Sequence, residues 1–445
     1  MACAYVGRAY HPQMLRRALP GVYEGWIVVG SAACVVLLIG ASFFYGFGTI
    51  FNEVIDEFGW SVAATSLAFS LRSEVGGIAA PFIGALIDRL GAQKVALGGV
   101  VISAFGVLLM SEIQTIWHFY AVMMVIAIGS SAAGGSVGLV AIASWFEARR
   151  AFAMSIMTLG GGVGGLLVVA IAALVEGFGW RGALRILAAV MLTVGIAFAI
   201  NIRTRPDGHP QPLDGFRASD DGRVLAPAVR WGMTLREAVR TRSFMFMSLG
   251  MVFLNFSTTA VVIHQIPYLE REMHVSKAVA GSSVAFFTVF SIVGRLGAGY
   301  LADRFSKRLI VVASCLFVLA GLPILAFADS YAMATAGILV IAPGFGGTIP
   351  VRPAMLADYF GTKFFGTING TVALVTTTGG ALGPWVVGLL VDRTAHYYAG
   401  WLICMAVTAA AIPFFMLATP PSDDQLRAAG REDGPGVPRP IVDAH

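Results

Sequence analysis

Charge is scarce in this chain. Only 12% of its 445 residues are Asp, Glu, Lys or Arg, about half of the roughly 25% that soluble globular proteins carry. Because a surface that faces water needs many charged side chains, this composition excludes a soluble globular protein. The 57% of hydrophobic residues instead predicts an all-α protein that crosses a membrane many times.

Cysteine is equally rare, with four residues and no CxxC pair. A disulfide framework and a cysteine metal site are therefore excluded, and no metal or other cofactor is expected. The sequence also lacks HExxH and GxSxG motifs and paired carboxylates within its apolar segments, so an enzyme is not indicated. The net charge of +5 does not indicate nucleic-acid binding, because the basic residues follow membrane topology.

Apolar runs of about 20 residues, the length that spans a bilayer, occur in two sets of six. They predict twelve transmembrane helices near 26–51, 61–86, 95–111, 117–144, 151–175, 182–202, 243–268, 279–301, 309–328, 332–357, 364–391 and 397–418. The predicted organisation is therefore an N-terminal segment (1–25), a six-helix bundle (26–202), a linker (203–242), a second six-helix bundle (243–418) and a disordered tail (419–445). The proline-rich and charged linker is expected to be solvated, with a surface helix around Leu235–Val239.

The distribution of basic residues predicts the orientation. Residues 1–23 contain no apolar core, so no cleavable signal peptide is expected. With the N-terminus inside, the inner loops and both termini hold 22 of the 30 Lys and Arg, and the outer loops hold four. This asymmetry places both termini in the cytoplasm, and the cell (inner) membrane is the expected location. Arg72, Arg185, Arg295 and Arg352 remain within spans.

A short motif recurs after the second span of each half. The first copy reads Gly84-Ala-Leu-Ile-Asp88-Arg89-Leu-Gly91, and the second contains Asp303 and Arg304, with the two aspartates 215 positions apart. Small residues let helices approach closely, and an aspartate can accept a charge-assisted hydrogen bond from a basic group or a helix N-terminus of the other half. Asp88, Arg89, Asp303 and Arg304 are therefore predicted gating residues, and paired halves are typical of a rocking transporter.

This motif resembles the loop between spans two and three of the major facilitator superfamily. The resemblance covers nearly the whole chain and implies two pseudo-symmetric six-helix bundles. Within the superfamily, Glu24-Gly25-Trp26, Phe58-Gly59-Trp60 and Ala357-Asp358-Tyr359-Phe360 look like the monocarboxylate transporter and oxalate–formate exchanger branch. That branch carries small organic anions, often with a proton, so the resemblance implies transport of a small organic anion such as a monocarboxylate.

The same resemblance assigns the substrate carboxylate to an arginine in span eight, which corresponds to Arg295. Three departures bear on proton coupling. Ser291 stands where proton-linked members of the branch have an aspartate, and Tyr45 stands where they often have a lysine in span one. The exchanger's lysine in span eleven has no counterpart here.

Glu74 is the only acidic residue deep in a predicted span. It lies 14 residues before Asp88, about 21 Å along a helix and a little beyond the middle of a core about 30 Å thick. Placing an ionisable group at this depth of the membrane costs free energy, which suggests a functional role. Glu74 is therefore the candidate for proton coupling. Arg72 lies on another face. For each of the two, a structural pairing with a polar group on a neighbouring helix is the alternative.

Several other side chains are candidates for substrate contact. Arg352 lies between two prolines in span ten, where it could bind an anion or reach the membrane surface. By analogy with the fold, in which spans one, four, seven and ten line the cavity, Tyr45, Asn255 and His264 are expected to line it. A histidine is also often a structural hydrogen-bonding residue.

Two other functions compete with anion transport. Drug exporters of the superfamily typically have a Gly-Pro motif in span five, which has no proline here. A nutrient sensor that does not transport would usually need an output domain, and the tail is short. The expected partners are thus the lipid bilayer, a small organic anion and protons, without nucleic acid, and the expected state is a monomer.

Overall fold

The computed structural model describes residues 22–206, 209, 213–215 and 230–430. Among the described residues of the first half are nine α-helices: α1 (Glu24–Ile39), α2 (Phe47–Phe58), α3 (Val62–Leu90), α4 (Ala92–Met110), α5 (Ile116–Ala133), α6 (Gly135–Trp145), α7 (Arg150–Val163), α8 (Val168–Val190) and α9 (Ile196–Ala199). A one-turn helix follows, α10 (Leu235–Ala238). The second half contains α11 (Arg242–Glu272), α12 (Lys277–Ala302), α13 (Lys307–Ala326), α14 (Tyr331–Phe360), α15 (Phe365–Thr394), α16 (Tyr398–Leu417) and the short α17 (Asp423–Ala428).

The helices agree with a protein that crosses the membrane many times. Ten helical segments of the described chain are long and apolar enough to span a bilayer. The two other predicted spans are helical as well. One is α3, which is 29 residues long and contains Arg72 and Glu74. The other begins with α7 and continues through a 3-10 turn at Gly164–Leu167 into α8.

Glycines interrupt three spans of the first half within their apolar stretches. A π-helical segment, Gly40–Tyr45, separates α1 from α2, and the 3-10 turn separates α7 from α8. Between α5 and α6, Gly134 adopts an extended conformation, with φ −74° and ψ −159°. Because such breaks release backbone groups from the helical ladder, they are tolerated in a membrane where they face protein or a cavity.

The two halves meet most closely where glycines lie against backbone. A Cβ atom on Gly84 of α3 would lie 2.0 Å from the carbonyl oxygen of Gly366 in α15, and one on Gly299 of α12 would lie 2.9 Å from the carbonyl oxygen of Ala151 in α7. We call the end of the molecule that contains Asp88 and Asp303 the inner end, because it is the predicted cytoplasmic end. At this end the halves are in contact.

The linker is not solvated throughout, in contrast to the prediction. Its residues Arg205, His209 and Asp214 are buried. The Asp214 carboxylate accepts hydrogen bonds of 2.9–3.0 Å from the N–H groups of three residues just before α7, Glu147, Ala148 and Arg149. N–H groups at the start of a helix have no carbonyl partner within it, which explains why a carboxylate of the linker packs against this part of the first half. The surface helix expected near Leu235 is present as α10, with a capping box at Thr234.

The first part of the tail is also structured, so the prediction of a disordered tail from residue 419 is wrong for residues 419–430. Helix α17 forms there because Ser422 and Gln425 make a capping box and because Leu426 is buried. Residues 431–445, like residues 1–21, lie outside the described part of the structure.

Candidate functional site

A cavity of about 480 Å³ lies between the two halves. This volume is within the range of roughly 300–1,000 Å³ that is usual for small-molecule sites. Its wall combines residues of five helices of the first half with Arg295 of α12 and Ala373 of α15: Val36, Ile39, Gly40, Arg72, Gly76, Gly77, Ala80, Ala127, Ser130, Ser131, Gly134, Gly135, Ser136 and Gly161. Small and apolar side chains predominate, so each polar group in the wall stands out.

Arg295 reaches the cavity from the second half. One guanidinium nitrogen, Nη1, donates a hydrogen bond of 2.6 Å to the carbonyl oxygen of Thr158 in α7. A Cβ atom on Gly162 would lie 3.8 Å from the same nitrogen. Arg295 therefore connects the halves and lines the cavity, the position expected of a residue that binds substrate during their relative movement.

Arg72 of α3 contributes a second guanidinium to the wall, from the first half. The sequence left a structural pairing with a neighbouring helix as the alternative for Arg72, because the phase of an apolar helix does not reveal which face meets a cavity. The described wall contains these two arginines and no acidic residue. Two cations among apolar groups create a positive potential, which favours an anionic ligand.

The break between α5 and α6 supplies the remaining polar groups. Ser130 and Ser131 precede Gly134, while Gly135 and Ser136 begin α6. The hydroxyl of Ser131 donates to the carbonyl oxygen of Gly76 at 3.3 Å, which fixes this segment against α3. Sequence reasoning missed these serines, although the Ser-Ser-Ala-Ala-Gly-Gly-Ser run in an apolar span was the available signal.

Two predicted lining residues hold helices of the second half together instead. The side-chain amide of Asn255 donates to the carbonyl oxygen of Thr376 at 3.0 Å. His264 Nε2 lies 2.9 Å from the carbonyl oxygen of Pro384. Both contacts join α11 to α15, and neither residue belongs to the described cavity wall.

The other predicted substrate and proton residues also lie apart from the wall. Arg352 is half-buried, and its Nε atom has no hydrogen-bond partner among the described residues. Glu74 is exposed, on the face of α3 that carries the exposed Ile78 and Phe82. The side chain of Tyr45 lies outside the described part of the structure. The roles of Arg352, Glu74 and Tyr45 therefore stay predictions.

At the inner end, Asp88 binds the N-terminus of a helix in the other half. Its carboxylate accepts hydrogen bonds from the N–H of Gly366 at 2.9 Å and from the N–H and hydroxyl of Thr367 at 2.7 and 2.6 Å. These residues begin α15, so the carboxylate also meets the positive end of the helix dipole. The contact crosses from the first half to the second.

Asp303 makes the reciprocal contact from the second half to the first. It accepts hydrogen bonds of 2.8 Å from the N–H groups of Ala151 and Phe152 at the start of α7. Close by, Asp358 forms ion pairs with Arg150 of α7 and with Lys307, the latter at 2.7 Å. The repeated motif thus forms a pair of symmetric caps that join the two halves at the inner end.

The arginines that follow the two aspartates are exposed. Arg304 lies over the ring of Tyr300, with its guanidinium carbon 3.9 Å from the ring centroid. Arg89 is exposed in the last turn of α3. Neither arginine bonds across the halves among the described contacts, so the cross-half bonds of the motif come from its aspartates.

The Asp303 contact predicts a pH dependence of the inner end. Burial raises the pKa of this carboxyl from 3.8 to about 6, and the N–H groups of Phe152 and Ala151 together with Lys307 only partly offset that effect. When the inner end opens and water reaches Asp303, its pKa returns toward 3.8. The closed state therefore binds the proton more tightly, and acidification favours closure, by about fourfold between pH 7.5 and 5.5.

Distances between spin labels at the exposed positions Leu90 and Phe305, one in each half, measure the populations of the closed and open inner end. The same pH titration on Asp303→Asn is the control, and its closed fraction is expected to change less. An equal pH response in both proteins would contradict the assignment to Asp303.

The chain is similar to known proteins in both sequence and fold. A family model described as Major Facilitator Superfamily matches residues 32–266 and 245–443. Monocarboxylate transporter 11 of Mus musculus is 26% identical over 405 residues, which cover 85% of this chain and 84% of that protein. The crystal structure of the human organic anion transporter MFSD10 (TETRAN) has a TM-score of 0.67 at 15% identity, covering 89% of this chain and 100% of that chain. FucP in the outward conformation has a TM-score of 0.68 at 15% identity, covering 89% and 99%.

Proposed function

The chain belongs to the Major Facilitator Superfamily, and from this premise we propose that it is a secondary transporter of a small organic anion, with a carboxylate bound by Arg295. The family consists of membrane transporters, so the chain is a multi-pass membrane transporter and not an enzyme. The observation that carries the substrate class is the described part of the cavity wall, which contains two arginines and no acidic residue. Two relatives of the chain are named monocarboxylate transporters, which supports a carboxylate as the substrate.

Arg295 suits the role of carboxylate anchor for two reasons. A planar guanidinium binds a carboxylate through two parallel N–H···O bonds, and it stays charged even when it is poorly solvated. Its Nη1 atom already uses one hydrogen bond to Thr158 in the opposite half. The substrate therefore meets an arginine whose surroundings change when the halves move.

Alternating access follows from the caps at the inner end. With Asp88 and Asp303 bound to the opposite halves, the halves are joined at the predicted cytoplasmic end. Release to that side requires both caps to break. Substrate binding between the halves and cap formation at the inner end thus act on the same rigid-body movement.

Uptake of radiolabelled short carboxylates into proteoliposomes, with and without an imposed proton gradient, tests the function. We expect saturable uptake that is inhibited by unlabelled carboxylates and not by neutral amides of the same size. Absence of uptake for every carboxylate, with protein shown to be folded, would remove the substrate assignment and make export of hydrophobic compounds the next candidate.

Proton coupling through Glu74 is a separate proposal. Its support is that no other acidic residue lies so deep in the spans, although the structure does not bring it into the described cavity wall. Glu74→Gln is expected to abolish the stimulation by a proton gradient while leaving exchange of labelled for unlabelled anion intact. Undiminished stimulation in the variant would exclude Glu74 as the coupling residue.

The cell (inner) membrane, cytoplasmic termini and a monomeric state complete the proposal. The distribution of basic residues supports the orientation, and the apolar helices support the monomer. Labelling of cysteines placed at exposed positions of each end in intact cells tests the orientation, and reagents that cross no membrane are expected to leave the inner end unlabelled.

A further inference from the structure

The linker between the two halves binds the segment that leads into α7. The Asp214 carboxylate accepts hydrogen bonds of 2.9–3.0 Å from the N–H groups of residues 147–149. Two residues further on, the N–H groups of Ala151 and Phe152 donate to Asp303 of the second half at 2.8 Å. A carboxylate of the linker and a carboxylate of the second half therefore bind adjoining parts of the same stretch of backbone.

Asp214 is fixed in this position. It is 6% exposed, and its backbone has φ 60°, a left-handed conformation that costs free energy and persists where the surrounding contacts impose it. Earlier residues of the linker are also attached to the first half. The N–H of Arg205 donates to the hydroxyl oxygen of Ser144 at 2.8 Å, and the carbonyl oxygen of Arg203 accepts a hydrogen bond of 2.8 Å from the indole of Trp145. The carboxylate thus meets the segment before α7 from a well-anchored part of the linker.

A later part of the linker binds the segment that leads into α15. The carbonyl oxygen of Trp231 accepts hydrogen bonds of 2.9 and 3.1 Å from the N–H groups of Thr362 and Lys363. A few residues further on, Asp88 of the first half binds the start of α15. Each of the two caps therefore binds a helix start whose preceding segment is bound by the linker.

We infer that the linker positions the two helix starts that receive the caps, with Asp214 acting on α7 and residues 231–233 acting on α15, and that it thereby favours the closed inner end. The inference rests on the proposed function, in which both caps break when substrate is released inward. Backbone N–H groups bind a carboxylate more tightly when their segment is already ordered, because the ordering of a flexible segment costs conformational entropy. The linker contributes this order before the opposite half arrives.

Double-mutant cycles on the full-length protein test whether the linker acts through the caps. The ratio of closed to open inner end is measured from spin-label distances between positions 90 and 305, without substrate and at a pH where both states are populated. Asp214→Gly removes the carboxylate and accepts the left-handed conformation. It is expected to lower the ratio by at least about threefold, because formation of the Asp303 cap must then order the segment before α7. Asp214→Asn keeps an oxygen acceptor, so it is expected to lower the ratio less.

The two caps are matched controls for each other. Asp214→Gly combined with Asp303→Ala is expected to lower the ratio by less than the product of the two single reductions, because both changes act on the start of α7. Combined with Asp88→Ala, its effect is expected to multiply. Gly232→Val gives the opposite pattern, because a Cβ atom there would lie 2.9 Å from the backbone nitrogen of Lys363 and displace the segment before α15. Its effect is expected to be coupled to Asp88 and independent of Asp303.

The outcomes separate this inference from the proposed function. Coupling of Asp214 to Asp303 and of Gly232 to Asp88 supports it, and where one linker variant does not fold, the cycle of the other decides. Linker variants that leave the ratio unchanged, or whose effects multiply with those of both cap variants, overturn the inference and leave the caps and transport standing. Cap variants that leave the ratio unchanged overturn the role of the caps in alternating access and this inference with it.

Discussion

Replacing Arg295 with alanine is expected to lower carboxylate uptake by at least about 30-fold. Truncation of one partner of a desolvated charge pair costs roughly 2–5 kcal/mol, and the substrate carboxylate loses its bidentate partner in this variant. Arg295→Lys keeps the charge but not the planar fork, so an intermediate loss is expected. Uptake per folded transporter in proteoliposomes measures both effects.

Arg185→Ala is the control for this prediction, because it removes an arginine whose ion pair with Glu112 is exposed and lies outside the cavity. Exposed pairs contribute little, so its uptake is expected to stay close to that of the wild type. Arg295→Ala protein that is folded and transports carboxylates at the rate of the wild type would exclude Arg295 as the anchor.

Replacing Gly84 with valine is expected to prevent closure of the inner end. A Cβ atom at this position would lie 2.0 Å from the carbonyl oxygen of Gly366 and 2.4 Å from its carbon, so α3 and α15 must move apart. The movement also separates Asp88 from the start of α15. Overpacking of this kind costs roughly 1–3 kcal/mol, which shifts the equilibrium toward the open inner end by roughly 5- to 150-fold.

Spin-label distances between positions 90 and 305 measure this shift, and uptake is expected to fall with it. Gly98→Val is the matched control, because Gly98 is also within a helix and an added Cβ meets nothing within 4 Å. A closed inner end and normal uptake in Gly84→Val would show that the close approach of α3 and α15 is not required for transport.

Hydropathy and the repeated motif predicted the architecture well, for a physical reason. A bilayer forces every span to be long, apolar and helical, so spans can be read one by one along the chain. The spacing of Asp88 and Asp303 also reflects the symmetry of the halves. In the structure the two aspartates bind the start of α15 and of α7, respectively.

Helix orientation could not be read in the same way. The depth estimated for Glu74 depends on counting residues, but its direction depends on which face of α3 meets the cavity. An apolar helix in a membrane carries little signal for that choice, since lipid and protein neighbours are both apolar. The structure places Arg72 in the wall and Glu74 on the exposed face.

Long-range contacts were equally hidden from the sequence. Asn255 and His264 bond to residues 121 and 120 positions away, and no local pattern identifies such partners. The buried Asp214 of the linker depends on the N–H groups before α7, which are also distant in sequence. Composition described that linker as solvated because prolines and charges dominate it.

Counterflow is the most direct test of carboxylate transport, because it needs neither an ion gradient nor knowledge of the direction in the cell. Proteoliposomes are loaded with unlabelled malonate or propionate and diluted into a trace of the labelled acid. An alternating-access carboxylate transporter is expected to accumulate label transiently above its equilibrium level, and Arg295→Ala is expected to lose this overshoot. No overshoot with either acid, from wild-type protein that is folded and inserted, would contradict the assignment of an organic anion transporter.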